Sequence, residues 1–587
     1  MCVKKAKRLL GVFALIAAMA LVGCGKKEEC PYEEFIVVDV FDNQANFQGI
    51  QSGWFAKIVK EKFNMELNII APNVSGGGDT LYEMRVAAGN LGDLILCGAS
   101  QGELQDLVDA GLLYDMEAGL QGKEIMKYSY AIQHLNDTIR QGGIYAIPSE
   151  VSVQSPLEPS EGTETVYGPY IRWDLYAKLG YPKMETIEDL LPVMVQMQKL
   201  EPVSETGEKA YAFSFFSDWD NNMMNFLKQP CCLYGYDEYG FVLSKADGSD
   251  YQDILQEDSL YLRMCHMMFE ANQLGLVDPA SRTQNYDACF SKYQDGAVLF
   301  SPWPWLGQSA YNTADRTAKG KGFMFAPIDD LLVYSHGCNP EGNLQNVIAI
   351  GSQAEDPERL MDFIDWLYSA EGISVNGAQL SGSTAGPEGL TWEMRDDGPY
   401  LTEFGKHALF QADVEVPEAW GGGIWEFGTS ALNFKPVAQC EKDENGYYYC
   451  FDLWDSVRDM TNTALSEDWQ RVMQADTTIE YLQRHNQMIV ATGCGYIAPE
   501  ESTELTSIRN QCSRVIKENS WNMVFAEDEE EYQTLLQDML DKVESYGYEK
   551  ILAYDMENAK GQSEARKQAV SNYDSLTKIQ QASGNWK

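Results

Sequence analysis

The amino-acid sequence predicts an α/β protein with two lobes. In its N-terminal part, patterns typical of buried strands alternate with patterns typical of amphipathic helices. That order indicates a parallel sheet covered by helices. The chain has 587 residues, of which 44% are hydrophobic. It is therefore globular and too long for one hydrophobic core, so we expect two lobes.

The predicted elements follow in β-α-β order. Strand patterns cover residues 35–41, 66–70, 93–97 and 144–148, and helical patterns cover residues 54–63, 80–88 and 103–110. A polar loop at residues 155–165 is a candidate boundary. After it come a strand-helix unit at 168–179, helices at 187–200, 259–274 and 357–369, and a largely helical region from Asp476 onward.

The first residues have the pattern of an export signal. Four cationic residues between positions 4 and 8 precede an apolar run at 9–22, which is shorter than the roughly 20 residues of a membrane-spanning helix. The run ends in Leu21-Val22-Gly23-Cys24, which resembles the bacterial lipobox. We expect residues 1–23 to be a lipoprotein signal peptide, Cys24 to be lipidated, and 24–33 to be a polar linker. The protein would then lie on the extracytoplasmic face of the cell membrane.

Charge and motif content exclude several function classes. The chain has 44 Lys and Arg against 88 Asp and Glu, so nucleic acid is not an expected partner. It has no P-loop, no dinucleotide fingerprint and no HxxxH or CxxC spacing, and we expect no cofactor and no zinc. Asp218–Asn222 and Asp443–Gly446 contain oxygen ligands without the rest of an EF-hand. We interpret both as solvated loops, with structural calcium left open.

The cysteines do not form an obvious disulfide framework. Thirteen are present, and they are scattered along the chain. Cys440 and Cys450 are the exception, because a three-residue loop at Glu444-Asn445-Gly446, with Gly446 in the left-handed conformation, would place them opposite each other. A disulfide between them and a pair of free buried thiols are both compatible with the sequence.

Several stretches together resemble the extracellular solute-binding proteins of carbohydrate ABC importers (family 1), especially their long lipoprotein branch in Gram-positive bacteria. They are Arg85–Ile95, Ile144–Pro148, Ile171–Gly180, Pro357–Gly372, and Ser520–Ala526 with Gly547–Ile551. Gly92 and Trp173 depart from the residues that are common in that family. The resemblance implies a type II periplasmic-binding-protein-like fold with hinge strands and a long helical C-terminal part.

The same resemblance implies lobe boundaries and partners. We expect lobe 1 at 34–165 plus 320–390 and lobe 2 at 166–319 plus 391–587. The ligand, an oligosaccharide, would bind in the cleft between the lobes. The permease and ATPase subunits of the transporter would be the protein partners, and the binding protein itself would be a monomer.

The segment Asp295–Trp305 is similar to one in the family's maltose-binding member, where the first tryptophan stacks on a sugar. Carried onto this chain, the resemblance implies that Trp303 stacks on the ligand while Trp305 packs inward. Ser301 stands where that member has glycine. Pro302 and Pro304 restrict the backbone on both sides of Trp303, which would lower the cost of ordering it.

Five further residues complete the predicted ligand site. Asp42 follows the first strand, and Ser100 and Gln101 lie in the loop after the third, where ligands bind in open α/β sheets. Trp420 and Trp425 bracket the loop Gly421-Gly422-Gly423-Ile424, which could present indoles to a cleft. We also expect Arg172 and Asp174 to be structural.

Two other functions remain open at this stage. The same scaffold could bind a peptide or another polar solute. Gly98-Ala99-Ser100-Gln101-Gly102 also matches the nucleophile elbow of serine esterases and lies between a predicted strand and a predicted helix. None of the five histidines lies in a telling motif, so we expect no enzyme activity.

Overall fold

The computed structural model describes residues 30–75, 78–99, 102–137, 139–376, 384–411, 413–496, 498–499 and 501–583. Its strands are β1 (Ile36–Asp42), β2 (Gly49–Ile50), β3 (Met65–Ile70), β4 (Leu94–Cys97), β5 (Ile147–Ser149), β6 (Tyr170–Arg172), β7 (Tyr236–Tyr239), β8 (Val242–Lys245), β9 (Tyr251–Asp253), β10 (Phe300–Ser301), β11 (Phe323–Phe325), β12 (Val333–His336), β13 (Asn343–Ile350), β14 (Trp392–Arg395), β15 (Gly398–Leu401) and β16 (Met488–Ala491).

The helices cover a larger part of the chain than the strands. They are Gly53–Phe63, Pro72–Ser75, Gly78–Ala87, Glu103–Asp109, Glu117–Leu120, Ser129–Asn136, Trp173–Lys178, Leu190–Leu200, Asn225–Lys228, Leu260–Gln273, Tyr286–Asp295, Gly307–Tyr311, Ala314–Ala318, Pro357–Leu367, Ala370–Asn376, Glu403–Gln411, Asp455–Thr461, Ala464–Met473, Thr478–Arg484, Thr503–Val524, Glu529–Tyr546 and Tyr548–Ser583. Within the described ranges, no helix combines the length and apolar character that crossing a membrane requires.

Lobe 1 is built on a six-stranded sheet in the order β2-β3-β1-β4-β13-β5. The pairs of β1 with β3 and with β4 are parallel, as the β-α-β pattern predicts. Strand β13 arrives from far along the chain and lies antiparallel between β4 and β5. The helices Gly53–Phe63 and Pro357–Leu367 pack on this sheet and bury Trp54, Phe55, Phe363 and Trp366. Fully burying such side chains contributes roughly 1.5–3 kcal/mol each.

Lobe 2 has a small sheet and a large helical core. Its central sheet has the order β10-β6-β11, and both pairs are antiparallel. The helices Leu260–Gln273, Thr503–Val524 and Glu529–Tyr546 contribute to one extensive hydrophobic cluster around it. The predicted helical C-terminal region is therefore part of the lobe 2 core, although β16, which pairs with β12, was not predicted.

A buried ion pair lies at the centre of lobe 2. Arg172 donates from Nε and Nη2 to the two carboxylate oxygens of Asp174 at 2.9 and 3.0 Å, and Nη2 also reaches Glu201 Oε1 at 3.0 Å. The guanidinium stacks on the ring of Tyr311, 4.2 Å from its centroid. The expectation that Arg172 and Asp174 are structural agrees with these contacts.

Three connecting segments lie side by side between the lobes. Val151, just after β5, pairs with Val437, and Pro159 pairs with Gly337. The backbone N–H of Cys338 donates to Glu158 O at 2.9 Å. We call residues 151–160, 337–342 and 436–441 the hinge segments. The C-terminal helix also bridges the lobes, because it packs on lobe 2 strands while Asn572 Nδ2 donates to Tyr130 Oη in lobe 1.

Two parts of the chain pack in a different lobe from the one we expected. Residues 323–333 belong to the lobe 2 cluster, because β11 pairs with β6. Conversely, buried residues between 408 and 437, including Trp425 and Phe434, pack in the lobe 1 cluster. The predicted boundary at 320 lies too early, because residues 323–333 still belong to lobe 2. The predicted boundary at 390 also lies too early, because a long return segment of lobe 1 follows β15.

The predicted three-residue loop closes a hairpin. Asp443 N donates to Tyr447 O at 2.8 Å, and Gly446 has a φ of +87°. The pairing continues to Glu441, which accepts a hydrogen bond from Tyr449 N. It does not extend further, since the chain turns just before Glu441.

The Cys440–Cys450 disulfide is not formed in the structure, where both cysteines are buried thiols. Cys450 Sγ accepts a hydrogen bond from Gln439 Nε2 at 3.7 Å. The turn before Glu441 ends the hairpin ladder, so Cys440 does not lie opposite Cys450. Cys440 instead packs with Cys338 and Ala438 in a small buried cluster.

Candidate functional site

The two lobes present particular sheet edges to the space between them. In lobe 1, β5 ends at Ser149 and leads into the first hinge segment, so its carboxyl end marks the edge nearest lobe 2. The carboxyl ends of β1 and β4 and the first residue of β13 lie at this edge, because β13 is antiparallel to both β4 and β5. In lobe 2, Ser301 at the end of β10 pairs with Tyr170, where the chain enters β6 from the hinge. Ligands of open α/β sheets bind at such carboxyl ends.

Polar side chains follow the lobe 1 edge. We call Asp42, Gln44, Glu150, Asn343 and Asn433 the polar edge. Asp42 Oδ2 accepts a hydrogen bond from Asn433 N at 2.8 Å, and Oδ1 accepts one from Gln44 N at 3.1 Å. Asn433 Nδ2 donates to Gln44 O at 2.8 Å. The carboxylate of Asp42 thus joins the end of β1 to the return segment that carries Asn433.

Asn433 is the member of the polar edge with unused hydrogen-bonding capacity. Its Oδ1 is buried and has no hydrogen-bond partner among the described residues. A buried acceptor without a partner costs free energy, and such atoms are rare in folded proteins. Because this oxygen is buried, Asn433, like Asp42, belongs to the support of the polar edge and not to its exposed surface.

Asp42 was predicted to contact the ligand directly, but its side chain is only 1% exposed. Burial raises its pKa to about 6, although the backbone N–H groups of Asn433 and Gln44 oppose that shift. Asp42 is therefore a positioning residue of the polar edge, since its oxygens are occupied by backbone donors.

The raised pKa of Asp42 predicts a pH dependence of stability. The folded protein binds this proton more tightly than the unfolded chain, whose carboxyl has an ordinary value near 3.8. The contribution of Asp42 to stability is thus most favourable below about pH 4 and falls as pH rises to about 6. Relative to Asp42→Asn, we expect the wild type to lose up to about 3 kcal/mol over this range. Denaturant unfolding of both proteins at pH 4, 5, 6 and 7 measures this loss. A wild type that gains stability relative to Asp42→Asn as pH rises would contradict the assignment.

Two irregularities of the backbone lie at the polar edge. The pairing of β13 with β5 shifts register between Asn343 and Val347, so the residues between them leave the regular ladder. Glu150 has a φ of +48°, in the left-handed region, and its Oε1 accepts a hydrogen bond from Asn343 Nδ2 at 2.9 Å. Bulges and strained residues are concentrated at functional sites, so both features support a binding role for this edge.

A cavity of about 360 Å³ adjoins the polar edge at the hinge. Glu150 and Asn343 line it together with Gly337 and Asn339 of the hinge and Arg566 of the C-terminal helix. Its size lies within the range of small-ligand pockets. The polar edge therefore borders a concave space rather than a flat surface.

On the lobe 2 edge, aromatic side chains form an exposed surface. We call Trp219, Tyr286 and Trp305 the aromatic platform. The side chain of Trp219 is 62% exposed and that of Trp305 37%. The ring of Tyr286 lies 4.9 Å from that of Trp219 and 6.2 Å from that of Trp305, between centroids. Large exposed aromatics in a cluster are unusual unless they contact a partner or ligand.

Local hydrogen bonds explain why Trp219 is exposed. On one side, Asp218 Oδ2 accepts a hydrogen bond from Tyr286 N at 2.6 Å. On the other, Asp220 accepts bonds from Asn225 N and from the indole of Trp521. Trp219 lies between these anchors with a φ of +64°, and its indole points outward. We interpreted this loop as solvated, but the carboxylates of Asp218 and Asp220 accept hydrogen bonds from protein groups.

The predicted orientation of the Trp303–Trp305 segment is wrong. Trp303 is only 2% exposed, and its ring packs against Phe226 and Phe216 at centroid distances of 5.2 and 6.3 Å. Trp305 stacks on Trp303 at 4.7 Å and is the exposed member of the pair. The two prolines direct the first indole into the lobe 2 core, so the second one forms the outer surface.

Two of the remaining predicted site residues, Trp420 and Trp425, are not brought to these edges. Trp425 is buried and stacks on Trp54 at 4.5 Å, so it belongs to the lobe 1 core. Trp420 is half-buried and lines a groove on the outer face of lobe 1. Ser100 and Gln101 lie outside the described residues, although Ala99 N donates to Leu344 O beside the bulge in β13. Cys24 also lies outside them.

Three solved structures share this arrangement of lobes. An alginate-binding protein without calcium ion matches with a TM-score of 0.53 at 12% identity, covering 92% of this chain and 100% of the other. A solute-binding protein from Bifidobacterium longum infantis, described as HMO-binding and associated with an ABC transporter, gives 0.54 at 15% identity, with coverages of 91% and 99%. A mutant ABC-transporter substrate-binding protein from S. pneumoniae in complex with fructo-nystose gives 0.53 at 14% identity, covering 91% and 100%.

The chain has the two-lobed fold of the extracellular solute-binding proteins. The predicted fold class and the resemblance in sequence are thereby confirmed at the level of the fold. No family profile and no curated protein sequence matches the chain. The polar edge lies where β5 leads into the first hinge segment, and the aromatic platform includes Trp305, which follows β10 in lobe 2.

Proposed function

We propose that this chain is the substrate-binding component of an ABC importer and that it captures an oligosaccharide between its lobes. The observation that carries the proposal is the aromatic platform on one lobe, combined with the polar edge on the other. Apolar C–H faces of sugar rings pack on indole and phenol rings, whereas their hydroxyls require planar polar partners. Trp219 and Trp305 supply the first kind of surface, and Glu150 and Asn343, which line the cavity at the hinge, supply the second.

The arrangement favours a carbohydrate over a peptide. A peptide ligand is typically bound through its backbone, by adding a strand to an open sheet edge. The lobe 1 strands β1, β4 and β13 are each paired on both sides, so they present their ends and not an open edge to the cleft. The three similar structures are an alginate-binding protein, a protein described as HMO-binding and a complex with fructo-nystose, which also supports a carbohydrate.

Partners follow from the same proposal. A substrate-binding component delivers its ligand to a permease, and the ATPase subunits supply the energy. The sequence contains no P-loop, so nucleotide hydrolysis would belong to those subunits. We further propose that the protein acts as a monomer.

A glycan panel tests the proposed function. We expect at least one oligosaccharide to raise the melting temperature of the full mature chain, because a ligand that binds only the folded state stabilises it by mass action. Short peptides and free amino acids serve as the matched panel. If only peptides raise the melting temperature, the ligand is a peptide and the carbohydrate proposal is wrong.

The esterase alternative has its own readout. Hydrolysis of model esters by the purified protein, lost in Ser100→Ala, would replace the binding function by a hydrolase. We expect no turnover that depends on Ser100.

Membrane attachment is a separate proposal that rests on the lipobox. Cys24→Ala removes the thiol that would carry the acyl chains, each of which contributes about 0.8 kcal/mol per buried CH₂. We expect the variant to move from the membrane fraction to the soluble fraction of fractionated cells. Cys30→Ala is the control, since Cys30 lies beyond the lipobox and is described as a free thiol. Membrane retention of an intact Cys24→Ala protein would contradict the anchor.

A further inference from the structure

A pair of buried thiols lies where the hinge segments meet. Cys338 has no exposed surface, Cys440 is 8% exposed, and together with Ala438 they form a small hydrophobic cluster of their own. The Cys338 thiol donates a hydrogen bond to the backbone oxygen of Pro159, in the first hinge segment, at 3.8 Å. No other two cysteines in the described ranges form such a cluster across two different hinge segments.

The surrounding contacts hold both cysteines to the first hinge segment. Cys338 N donates to Glu158 O at 2.9 Å. Next to Cys440, the carboxylate of Glu441 accepts hydrogen bonds from Ser152 Oγ at 2.6 Å and from Val153 N at 3.1 Å. Both cysteines are therefore held to the first hinge segment by hydrogen bonds of their own or adjacent residues, and they pack in one buried cluster.

The two thiols differ in their chemical roles. The proximity of the two sulfurs lowers the pKa of Cys440 and raises the pKa of Cys338, while burial raises the pKa of both. The thiolate is the reactive form of cysteine. Cys440 is consequently the first nucleophile of the pair, and it is also the more exposed of the two.

We propose that Cys338 and Cys440 are a thiol–disulfide exchange site that covalently links two hinge segments. The oxidant is a low-molecular-weight disulfide or the disulfide of an exported oxidoreductase. The Cys440 thiolate attacks one sulfur of that disulfide, which forms a mixed disulfide and releases one thiolate. Cys338 then gives up its proton and attacks Cys440 Sγ, which forms the Cys338–Cys440 bond and releases the second thiolate. The two protons pass to the leaving thiolates, and the oxidant is reduced to two thiols.

The link acts on the connection that moves when the lobes close. Cys338 belongs to the segment that leads from lobe 2 back to lobe 1, whereas Cys440 follows directly on the lobe 1 return segment. A disulfide between them ties the hinge segment 337–342 to the hinge segment 436–441. Fewer residues of the connection are then free to change conformation when lobe 2 rotates. The oxidised protein therefore has a stiffer hinge than the reduced protein.

The test compares the wild-type chain after treatment with oxidised glutathione and after treatment with reductant. We expect peptide mapping to find a Cys338–Cys440 crosslink in the first sample and free thiols in the second. Oxidation should raise the melting temperature by about 2–5 °C, because the bond closes a long loop. Hydrogen exchange in residues 337–342 should become slower, and reductant should reverse both effects.

Variants separate this pair from the other cysteines. Cys450→Ser is the matched control. Cys450 is also buried and follows the hairpin that begins at Glu441, so this variant should keep the Cys338–Cys440 crosslink. Cys338→Ser and Cys440→Ser should each abolish the crosslink and the redox dependence of the melting temperature. A crosslink of Cys440 to Cys450, a crosslink of Cys338 to Cys494, or no crosslink in folded wild-type protein would each overturn the proposal. The comparison of oxidised and reduced wild type does not depend on whether the variants fold, and it does not depend on the ligand.

Discussion

Replacing Trp305 or Trp219 by alanine is expected to weaken oligosaccharide binding by about 1–3 kcal/mol each, which is roughly a 5- to 150-fold rise in Kd. Both indoles belong to the aromatic platform and are substantially exposed. Their loss therefore removes stacking surface for the ligand but little of the lobe 2 core. The melting temperature of the ligand-free variants should stay close to that of the wild type. Calorimetric titration with the glycan identified by the panel measures the affinity.

Trp303→Ala is the matched control for this prediction. Trp303 is directly below Trp305 in the stack and is almost fully buried, so its loss should cost about 3–5 kcal/mol in the free energy of unfolding. Its folded fraction should still bind the glycan. If Trp303→Ala loses affinity at unchanged stability while Trp305→Ala binds normally, the orientation inferred for the two indoles is wrong.

Arg172→Met is expected to destabilise lobe 2 by about 3–5 kcal/mol. The substitution leaves the carboxylate of Asp174 buried without its bidentate partner, and breaking a buried ion pair on one side has this order of cost. It also removes the cation that stacks on Tyr311. Denaturant unfolding, followed through the tryptophan fluorescence of lobe 2, measures the loss.

Lys183→Met provides the control. Lys183 pairs with Glu185 and Asp329, but its side chain is 67% exposed. Exposed ion pairs contribute little to stability, so the free energy of unfolding should remain almost unchanged. Equal effects of the two substitutions would show that the burial of Arg172 is not what makes its ion pair important.

Local sequence patterns were sufficient to predict the first strands and helices of lobe 1. They were not sufficient to predict the long-range contacts that complete its sheet and core. The strand predicted at residues 35–41 and the helix predicted at 54–63 lie within one residue of their observed bounds, because their burial pattern has a regular period. Strand β13 and the lobe 1 packing of Trp425 depend instead on contacts with residues more than 200 positions earlier in the chain. No local periodicity carries that information.

The candidate site differs from the predicted one in its residues. The resemblance pointed to the segment after β10, where the outward indole is Trp305 because Trp303 packs against Phe216 and Phe226. Trp219 had a readable signal, since two aspartates flank it in a loop, but only the structure shows that both are held by protein donors. The unpartnered Oδ1 of Asn433 is a property of packing and has no counterpart in the sequence.

The position of β13 in the lobe 1 sheet sets an order of assembly. Strand β5 has β13 as its only partner in that sheet, and the residues between them belong largely to lobe 2. As the chain is synthesised from its N-terminus, β1, β3 and β4 can pair early, whereas β5 must wait until nearly 200 further residues have appeared. Such long-range pairing is slow and leaves an unprotected strand edge in the meantime. The core of lobe 2 also waits, because it includes helices C-terminal to β13, so the nascent first lobe stays exposed to aggregation and to chaperone binding during most of synthesis.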